Sequence, residues 1–152
     1  MKTFLLTLIS LFFLNGCSSH NAFGEFDLTP AQELSEDNIQ TVKIKDSKKV
    51  HGILSVVYLN KVFPERYKNA EYFYVYYYLR DANESVTFEL NSKPSLLKEA
   101  LPPKNKFSTL TSFEAPWSKY YLLRFKKEGN VLNFKVTTDK AASATLQFIK
   151  DK

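Results

Sequence analysis

The sequence predicts an all-β fold, an antiparallel sandwich or barrel of about eight short strands with one short helix. Three observations support this prediction. Apolar and polar residues alternate with a period of two in several segments, turn residues recur at regular intervals, and helical periodicity is nearly absent. The clearest alternation runs over residues 84–91, where Val86, Phe88 and Leu90 are expected to face the core.

Each strand is predicted from its own pattern. Residues 41–45 alternate apolar residues with lysines, and residues 50–59 form a β-branched apolar run long enough for a central strand. Pro64 interrupts the pattern, after which residues 71–80 are strongly aromatic. Further strands are predicted at residues 84–91, 106–113, 118–127, 131–138 and 143–150. Gly129 suits a tight reversal, so the strands on either side of it are expected to pair as a hairpin.

Helix is predicted in two short places. Residues 95–101 form the one convincing helical patch, and they are delimited by Pro94 and Pro102. Near the start of the chain, residues 31–36 are expected to form a helical turn, because Thr29 can cap it. Neither segment is long enough to change the all-β prediction.

The N-terminus has the pattern of an export signal. Lys2 supplies the positive start, residues 4–14 are an almost unbroken apolar run, and the small residue Gly16 precedes Cys17. An apolar run of about 11 residues is too short to cross a bilayer core, which needs about 20. We therefore expect a cleaved leader instead of a retained transmembrane helix.

This arrangement resembles the lipobox of bacterial lipoproteins, in which the cysteine is acylated and becomes the mature N-terminus. The resemblance implies membrane attachment through acyl chains such as palmitate on Cys17, because several chains anchor stably where one does not. In that family an aspartate after the cysteine favours the inner membrane, so Ser18 implies the outer membrane of a Gram-negative source. Asn15 departs from the small or hydroxylated residue usual there, and an ordinary export signal with an unpaired thiol is the alternative. The predicted divisions are a signal peptide at 1–16, a lipidated tether at 17–38 and a β-sandwich domain at 39–152.

The body of the chain resembles the small bacterial lipoproteins that carry a variant immunoglobulin-like domain behind their anchor. That resemblance implies an immunoglobulin-like sandwich. The cysteine pair of antibody domains is absent, and Trp117 does not lie where that scheme would place it. Trp117 follows Pro116 at the entrance to a strand, where it is expected to be either a core or loop-plugging residue or a binding hot spot.

The composition argues against several kinds of chemistry. The one cysteine rules out an internal disulfide and a thiolate metal site. The two histidines, His20 and His51, lack zinc-ligand spacing, and no nucleophile elbow or phosphate loop is present. A Ser–His–acid set around His51 stays open. We expect no enzyme activity, no cofactor, no metal and no nucleic-acid partner. The net charge of +5 comes from scattered lysines, which are expected to form either a solvated face or a surface for anionic lipid.

The strongest candidate for a binding surface is a run of tyrosines. On the predicted strand at 71–80, the phenylalanine, valine and leucine side chains would face the core, and one tyrosine face would point outward. That face consists of Tyr72, Tyr74, Tyr76 and Tyr78. It is expected to bind a protein partner or a glycan, or else to be covered by the tether, the helix or a loop.

Residues 81–85 are predicted to form a turn between two strands. They also contain the pattern Asn-x-Ser, which makes Asn83 a candidate N-glycosylation site in an exported protein. Asp81 makes the pattern similar to the longer acceptor sequence of bacterial oligosaccharyltransferases. A calcium loop is disfavoured, because the glycine and the later acid of such a loop are missing.

Together these patterns predict a lipid-anchored, non-catalytic module that binds a protein partner or helps to assemble the cell envelope. The alternatives are a glycan- or lipid-binding domain, with or without enzymatic activity, and a surface adhesin. A deep pocket with converging polar groups would favour the first alternative, whereas a flat or gently concave aromatic face would favour protein binding.

Overall fold

The computed structural model describes residues 29–111 and 114–150. Over these residues the chain forms one curled antiparallel sheet of nine strands in the order β5-β4-β8-β9-β1-β2-β3-β7-β6. The strands are β1 (Ile39–Lys45), β2 (Val50–Tyr58), β3 (Glu71–Leu79), β4 (Val86–Leu90), β5 (Lys93–Pro94), β6 (Leu97–Leu101), β7 (Lys119–Phe125), β8 (Val131–Thr138) and β9 (Ser143–Ile149). Two α-helices, α1 (Pro30–Asn38) and α2 (Leu59–Val62), and a 3₁₀ turn at Ser108–Leu110 complete the described part.

The main core lies inside the curl. The sheet has a half made of β5, β4, β8 and β9 and a half made of β1, β2, β3, β7 and β6, and the pair Lys45 and Ser143 joins them. Alternate residues of both halves point inward, as the sequence pattern predicts. Phe73, Phe88 and Phe134 are among the buried residues that fill the space between the halves.

A second, smaller core covers the outer face of β2, β3 and β7. It contains Leu59 and Val62 of α2, Phe107, and Leu110 of the 3₁₀ turn, all of them buried. Helix α1 begins at the capping residue Thr29, whose side chain accepts a hydrogen bond from the backbone of Gln32. The helix packs against α2 and β2, so the end of the predicted tether lies on the folded body.

The predicted all-β class is confirmed, and the inward faces of residues 84–91 and 71–80 are confirmed as well. The finer prediction of an immunoglobulin-like sandwich with about eight strands is not confirmed, since the nine strands form one continuous ladder. The capped helical turn at residues 31–36 is confirmed and extends over Pro30–Asn38.

Three local predictions are wrong. The predicted helix at residues 95–101 is strand β6, because its backbone pairs with β7, a gain that a seven-residue helix could not match alone. The predicted strand at 106–113 contains the 3₁₀ turn. The strands flanking Gly129 do not form a hairpin, because β7 pairs with β3 and β6 while β8 pairs with β4 and β9.

The two free edges of the curled sheet face each other across a seam between β4 and β6. Lys98 of β6 spans this seam: its ammonium donates to the carbonyl oxygen of Val86 at 2.9 Å and lies 5.2 Å from the ring centroid of Phe88. It also lies 5.0 Å from the ring centroid of Tyr121. A charged side chain directed across an edge in this way discourages pairing with another chain.

In the part of the chain described, every helix is too short or too polar to cross a lipid bilayer.

Candidate functional site

The outer face of β1, β2, β3 and β7 is organised in three rows of cross-strand neighbours. Directly paired residues of antiparallel strands point to the same face, so the register defines each row. The covered row consists of Ile39, Val57, Tyr74 and Leu122. The middle row consists of Thr41, Ser55, Tyr76 and Tyr120. The open row consists of Lys43, Ile53 and Tyr78.

Coverage decreases from the covered row to the open row, and the predicted tyrosine face divides accordingly. Tyr74 is 0% exposed and Tyr76 is 9% exposed, whereas Tyr78 is 42% exposed. Tyr72 is half-buried against Tyr67, with ring centroids 4.6 Å apart. Of the two alternatives for this face, coverage applies to Tyr74 and Tyr76, because α1, α2 and the loop around Phe107 lie over that end of the face.

The two buried tyrosines belong to an aromatic cluster. The ring of Tyr74 packs 5.1 Å from that of Phe107 and 5.9 Å from that of Tyr76, between centroids. Burial raises the pKa of Tyr74 to about 12, and burial also raises the pKa of Tyr76. Both phenols are neutral at physiological pH, and both serve to pack the fold.

The open row continues into an apolar groove of about 320 Å³. We call it the aromatic groove, and its lining consists of Ile53, Ser55, Tyr76, Tyr77, Tyr78, Trp117 and Ser118. Trp117 is 66% exposed and Ile53 is 46% exposed. Among the described residues, those that line the groove include no carboxylate, imidazole or ammonium group. Its chemistry suits contact with apolar and aromatic groups.

Trp117 lies in a turn whose backbone is fixed by hydrogen bonds, including two with the buried hydroxyl of Tyr120. The backbone N–H of Ser118 donates to the carbonyl oxygen of Ala115 at 3.0 Å, which closes a turn with Pro116 and Trp117 at its centre. The hydroxyl of Tyr120, a residue 2% exposed, accepts from the N–H of Ala115 at 2.8 Å and donates to its carbonyl at 3.1 Å. The indole is thus presented to solvent by a fixed backbone.

Three cations border the open row. Lys43 is paired with Ile53 across the ladder, Lys45 lies two residues further along β1, and Arg80 follows Tyr78 by two residues. All three side chains are exposed, and none takes part in an ion pair between described residues. The border of the aromatic groove is therefore positively charged.

A buried ion-pair network lies at the same end of the sheet. A bulge in β2 leaves His51 without a partner on β1, and its ring lies between two carboxylates. Its Nε2 is 2.8 Å from Oδ2 of Asp46, and its Nδ1 is 3.0 Å from Oε1 of Glu84. An imidazolium donates to both, and the hydrogen bonds to Asp46 and then Glu84 raise the pKa of His51.

The carboxylates of this network are held in their charged forms. The hydrogen bond from His51, with those from the Lys48 and Lys49 backbone, holds the pKa of Asp46 well below its usual range. Burial acts to raise the pKa of Glu84, but hydrogen bonds from Thr138 and His51 outweigh it and lower the net value. Since both ring nitrogens of His51 are engaged, the arrangement does not match the Ser–His–acid set that the sequence left open.

A second pocket, of about 620 Å³, lies beside α1 and α2. Tyr58 lines it and donates at 2.6 Å to Glu71, which is 1% exposed. Lys150 also lines it and pairs with the same carboxylate. Asn60 uses its side chain to bind the backbone at Tyr67, Ala70 and Tyr72. The side chains of Tyr58, Asn60 and Lys150 thus already have partners within the fold, whereas the exposed carboxylate of Asp37 also lines this pocket.

The other predicted sites have mixed outcomes. Cys17 lies outside the described residues. Asn83 is exposed in a turn, where its backbone N–H donates to Asp81 Oδ1 at 3.0 Å, so its modification stays a prediction. Trp117 proves to be an exposed residue of a turn instead of a core residue. Sequence reasoning missed the network at His51, because His51 and Glu84 are 33 residues apart and meet where β2 contains a bulge.

No protein-family model matches the chain, and no curated protein or solved structure is significantly similar to it.

Proposed function

We propose that this chain is a lipid-anchored lipoprotein of a bacterial outer membrane that binds a protein partner through the aromatic groove, without catalysis. One observation carries the proposal: Trp117 is 66% exposed on a fixed turn, beside Ile53 and Tyr78. Exposed tryptophan and tyrosine in a pre-formed depression are typical of interface hot spots. The attachment through Cys17 rests on the resemblance of the N-terminus to a lipobox.

Protein binding suits the groove better than the other candidate functions. A sugar stacked on an aromatic ring also needs hydrogen-bonding groups around it. The Ser55 hydroxyl lies 2.8 Å from that of Thr41 and is engaged there, and Ser118 is buried, so Tyr78 and Trp117 are the exposed hydrogen-bonding side chains of the lining. Among the described residues no group of three or more histidine, cysteine, aspartate or glutamate side chains is arranged so that it could hold a metal ion. The proposal also includes the immunoglobulin-like comparison, in which the two halves of the sheet would act as the two layers.

The test is co-purification of the full-length protein from solubilised membranes. We expect Tyr78→Ala/Trp117→Ala to lose a partner that the wild-type protein retains. The matched control is Val131→Ala/Ile149→Ala, because these side chains are also exposed, 45% and 60%, and are paired across β8 and β9. A partner retained by the first variant, or lost equally from both, would overturn the proposed binding surface.

Two further measurements make the test specific. A photo-crosslinking amino acid placed at position 78 should form an adduct with the same partner, whereas one placed at position 131 should not. Mass spectrometry of the mature N-terminus tests membrane attachment through Cys17 separately. A freely soluble protein with an unmodified Cys17 would refute membrane attachment.

A further inference from the structure

We infer that the partner presents an acidic, extended polypeptide segment with an apolar side chain that enters the aromatic groove. This inference rests on the proposed function and adds the chemistry of the partner to it. The groove has an apolar floor, and the charged side chains on its β1 and β3 sides without an ion-pair partner among the described residues are the cations Lys43, Lys45 and Arg80.

The floor of the groove sets the apolar half of the recognition. Its volume of about 320 Å³ is at the low end of ligand pockets, which span about 300–1,000 Å³. That space suits one or two side chains of a peptide better than a whole small molecule. Ile53 and Tyr78 lie on adjacent strands and Trp117 stands beside them, so an apolar side chain that enters would contact all three.

The border sets the charged half. Neighbouring strands are about 4.8 Å apart, so Lys43 on β1 and Tyr78 on β3 are separated by about 10 Å. Lys45 and Arg80 extend the positive edge toward the end of the sheet. A segment that places an apolar side chain in the groove would therefore bring its neighbouring residues within reach of these cations.

The nearby carboxylates do not cancel this charge. Asp46 and Glu84 share the single charge of His51, so that network keeps about one negative charge against the three cations Lys43, Lys45 and Arg80. Asp81 is paired with Lys140. Glu114 is exposed three residues before Trp117, in the segment that leads into β7, and two strands separate β7 from β1, which carries Lys43. An acidic segment would thus meet unpaired cations along one edge of the groove, and charge complementarity favours it over a basic segment.

The fluorescence of Trp117 can report binding at the groove. Trp117 is the one tryptophan of the sequence, so tryptophan emission arises from the groove. The probe is a short synthetic peptide that alternates glutamate and leucine, added to the full-length protein in detergent. We expect a blue shift of emission on addition, with binding that weakens as salt rises, because screening shortens from about 10 Å at 0.1 M to about 3 Å at 1 M.

Charge-neutral variants test the border directly. Lys43→Gln/Lys45→Gln/Arg80→Gln should bind the acidic peptide about tenfold more weakly, since three exposed charge pairs together contribute about that factor. The matched control, Lys104→Gln/Lys126→Gln/Lys135→Gln, removes the same charge at exposed positions outside the groove and should bind as the wild-type protein does.

The outcomes separate this inference from the proposed function. If a peptide that alternates lysine and leucine binds equally well, or if the two triple variants weaken binding equally, the acidic partner is refuted while the groove remains a binding surface. If mixed phosphatidylcholine and phosphatidylglycerol vesicles shift the emission and the acidic peptide does not, the surface binds lipid and the inference fails. The co-purification test with Tyr78→Ala/Trp117→Ala examines the proposed function separately, and its result does not depend on the charge of the peptide.

Discussion

Replacing Tyr74 with alanine should destabilise this fold much more than the same replacement of Tyr78. The two side chains project from the same face of β3, four residues apart, and the sequence pattern predicts the same orientation for both. They differ in coverage, since Tyr74 is 0% exposed beneath Phe107 and Tyr78 is 42% exposed at the groove. The comparison therefore separates a packing role from a contact role.

The magnitude follows from buried area. An aromatic side chain buries about 150–250 Å², and at about 25 cal/mol per Å² its complete burial contributes about 4–6 kcal/mol. Measured truncations of buried aromatic residues to alanine cost about 3–5 kcal/mol. We expect a loss of about 4 kcal/mol for Tyr74→Ala, against about 2 kcal/mol for Tyr78→Ala, because Tyr78 is 42% exposed and only about three fifths of its area is buried.

Urea unfolding followed by far-ultraviolet circular dichroism measures this difference. With a denaturant slope of about 1–3 kcal/mol per M, a difference of about 2 kcal/mol should separate the two midpoints by about 0.7–2 M. Tyr74→Phe is a variant expected to fold, because it keeps the ring and gives up a hydroxyl that is 3.3 Å from Asn105 Nδ2, at a cost of about 1 kcal/mol or less. An equal loss for Tyr74→Ala and Tyr78→Ala would refute the assignment of the buried cluster.

Three further predictions concern other parts of the fold. Because the pKa of His51 is raised in the folded state, its contribution to stability is complete below its unfolded pKa of about 6.5 and disappears as pH rises through the folded value. The pKa of Asp46 is lowered, so its contribution to stability disappears in strong acid. The thermal midpoint of the wild-type protein should thus decrease as pH rises above neutrality, whereas the midpoint of His51→Gln should not change with pH over that range. Identical pH profiles for the two proteins would contradict the role of the network. Gly52→Ala should cost about 1–3 kcal/mol in urea unfolding, because its methyl group would overlap a carbonyl oxygen of β3, whereas Gly129→Ala meets no atom within 4 Å and should be neutral. Lys98→Met should lose about 1 kcal/mol and self-associate in light scattering, and a stable monomer would argue against a role at the seam.

The part of the fold that sequence reasoning predicted is the part set by local alternation. Residues 84–91 alternate apolar and polar side chains, whereas residues 71–80 place phenylalanine, valine and leucine on one face and tyrosines on the other. Each pattern identifies the face that enters the core. That information is contained in the strand itself, because successive side chains point to opposite sides. The inward faces of both segments were correct for this reason.

Pairing between distant strands could not be read from the sequence. Residues 95–101 contain leucine, lysine, glutamate and alanine, which favour helix locally, but the unpaired edge of β7 supplies five residue pairs to β6. The segment flanking Gly129 has the residues of a tight turn, yet its two strands belong to opposite halves of the curl. In both cases long-range hydrogen bonds outweigh the local preference.

The candidate site was predictable in composition and not in exposure. Alternation shows that Tyr72, Tyr74, Tyr76 and Tyr78 share a face, but only the packing of α1 and the loop around Phe107 decides which of them are covered. The groove needed Ile53 and Trp117 as well, which come from other segments.

The clamp that Tyr120 places on the Ala115 turn has a thermodynamic consequence for association. A tryptophan on a loose loop would lose backbone freedom when a partner docked, at a cost of about 1–2 kcal/mol for each residue ordered. Here that ordering is completed during folding, by two hydrogen bonds to one buried hydroxyl. Complex formation should consequently show a small conformational entropy penalty, and most of the contact energy at Trp117 should be expressed as a slow dissociation rate.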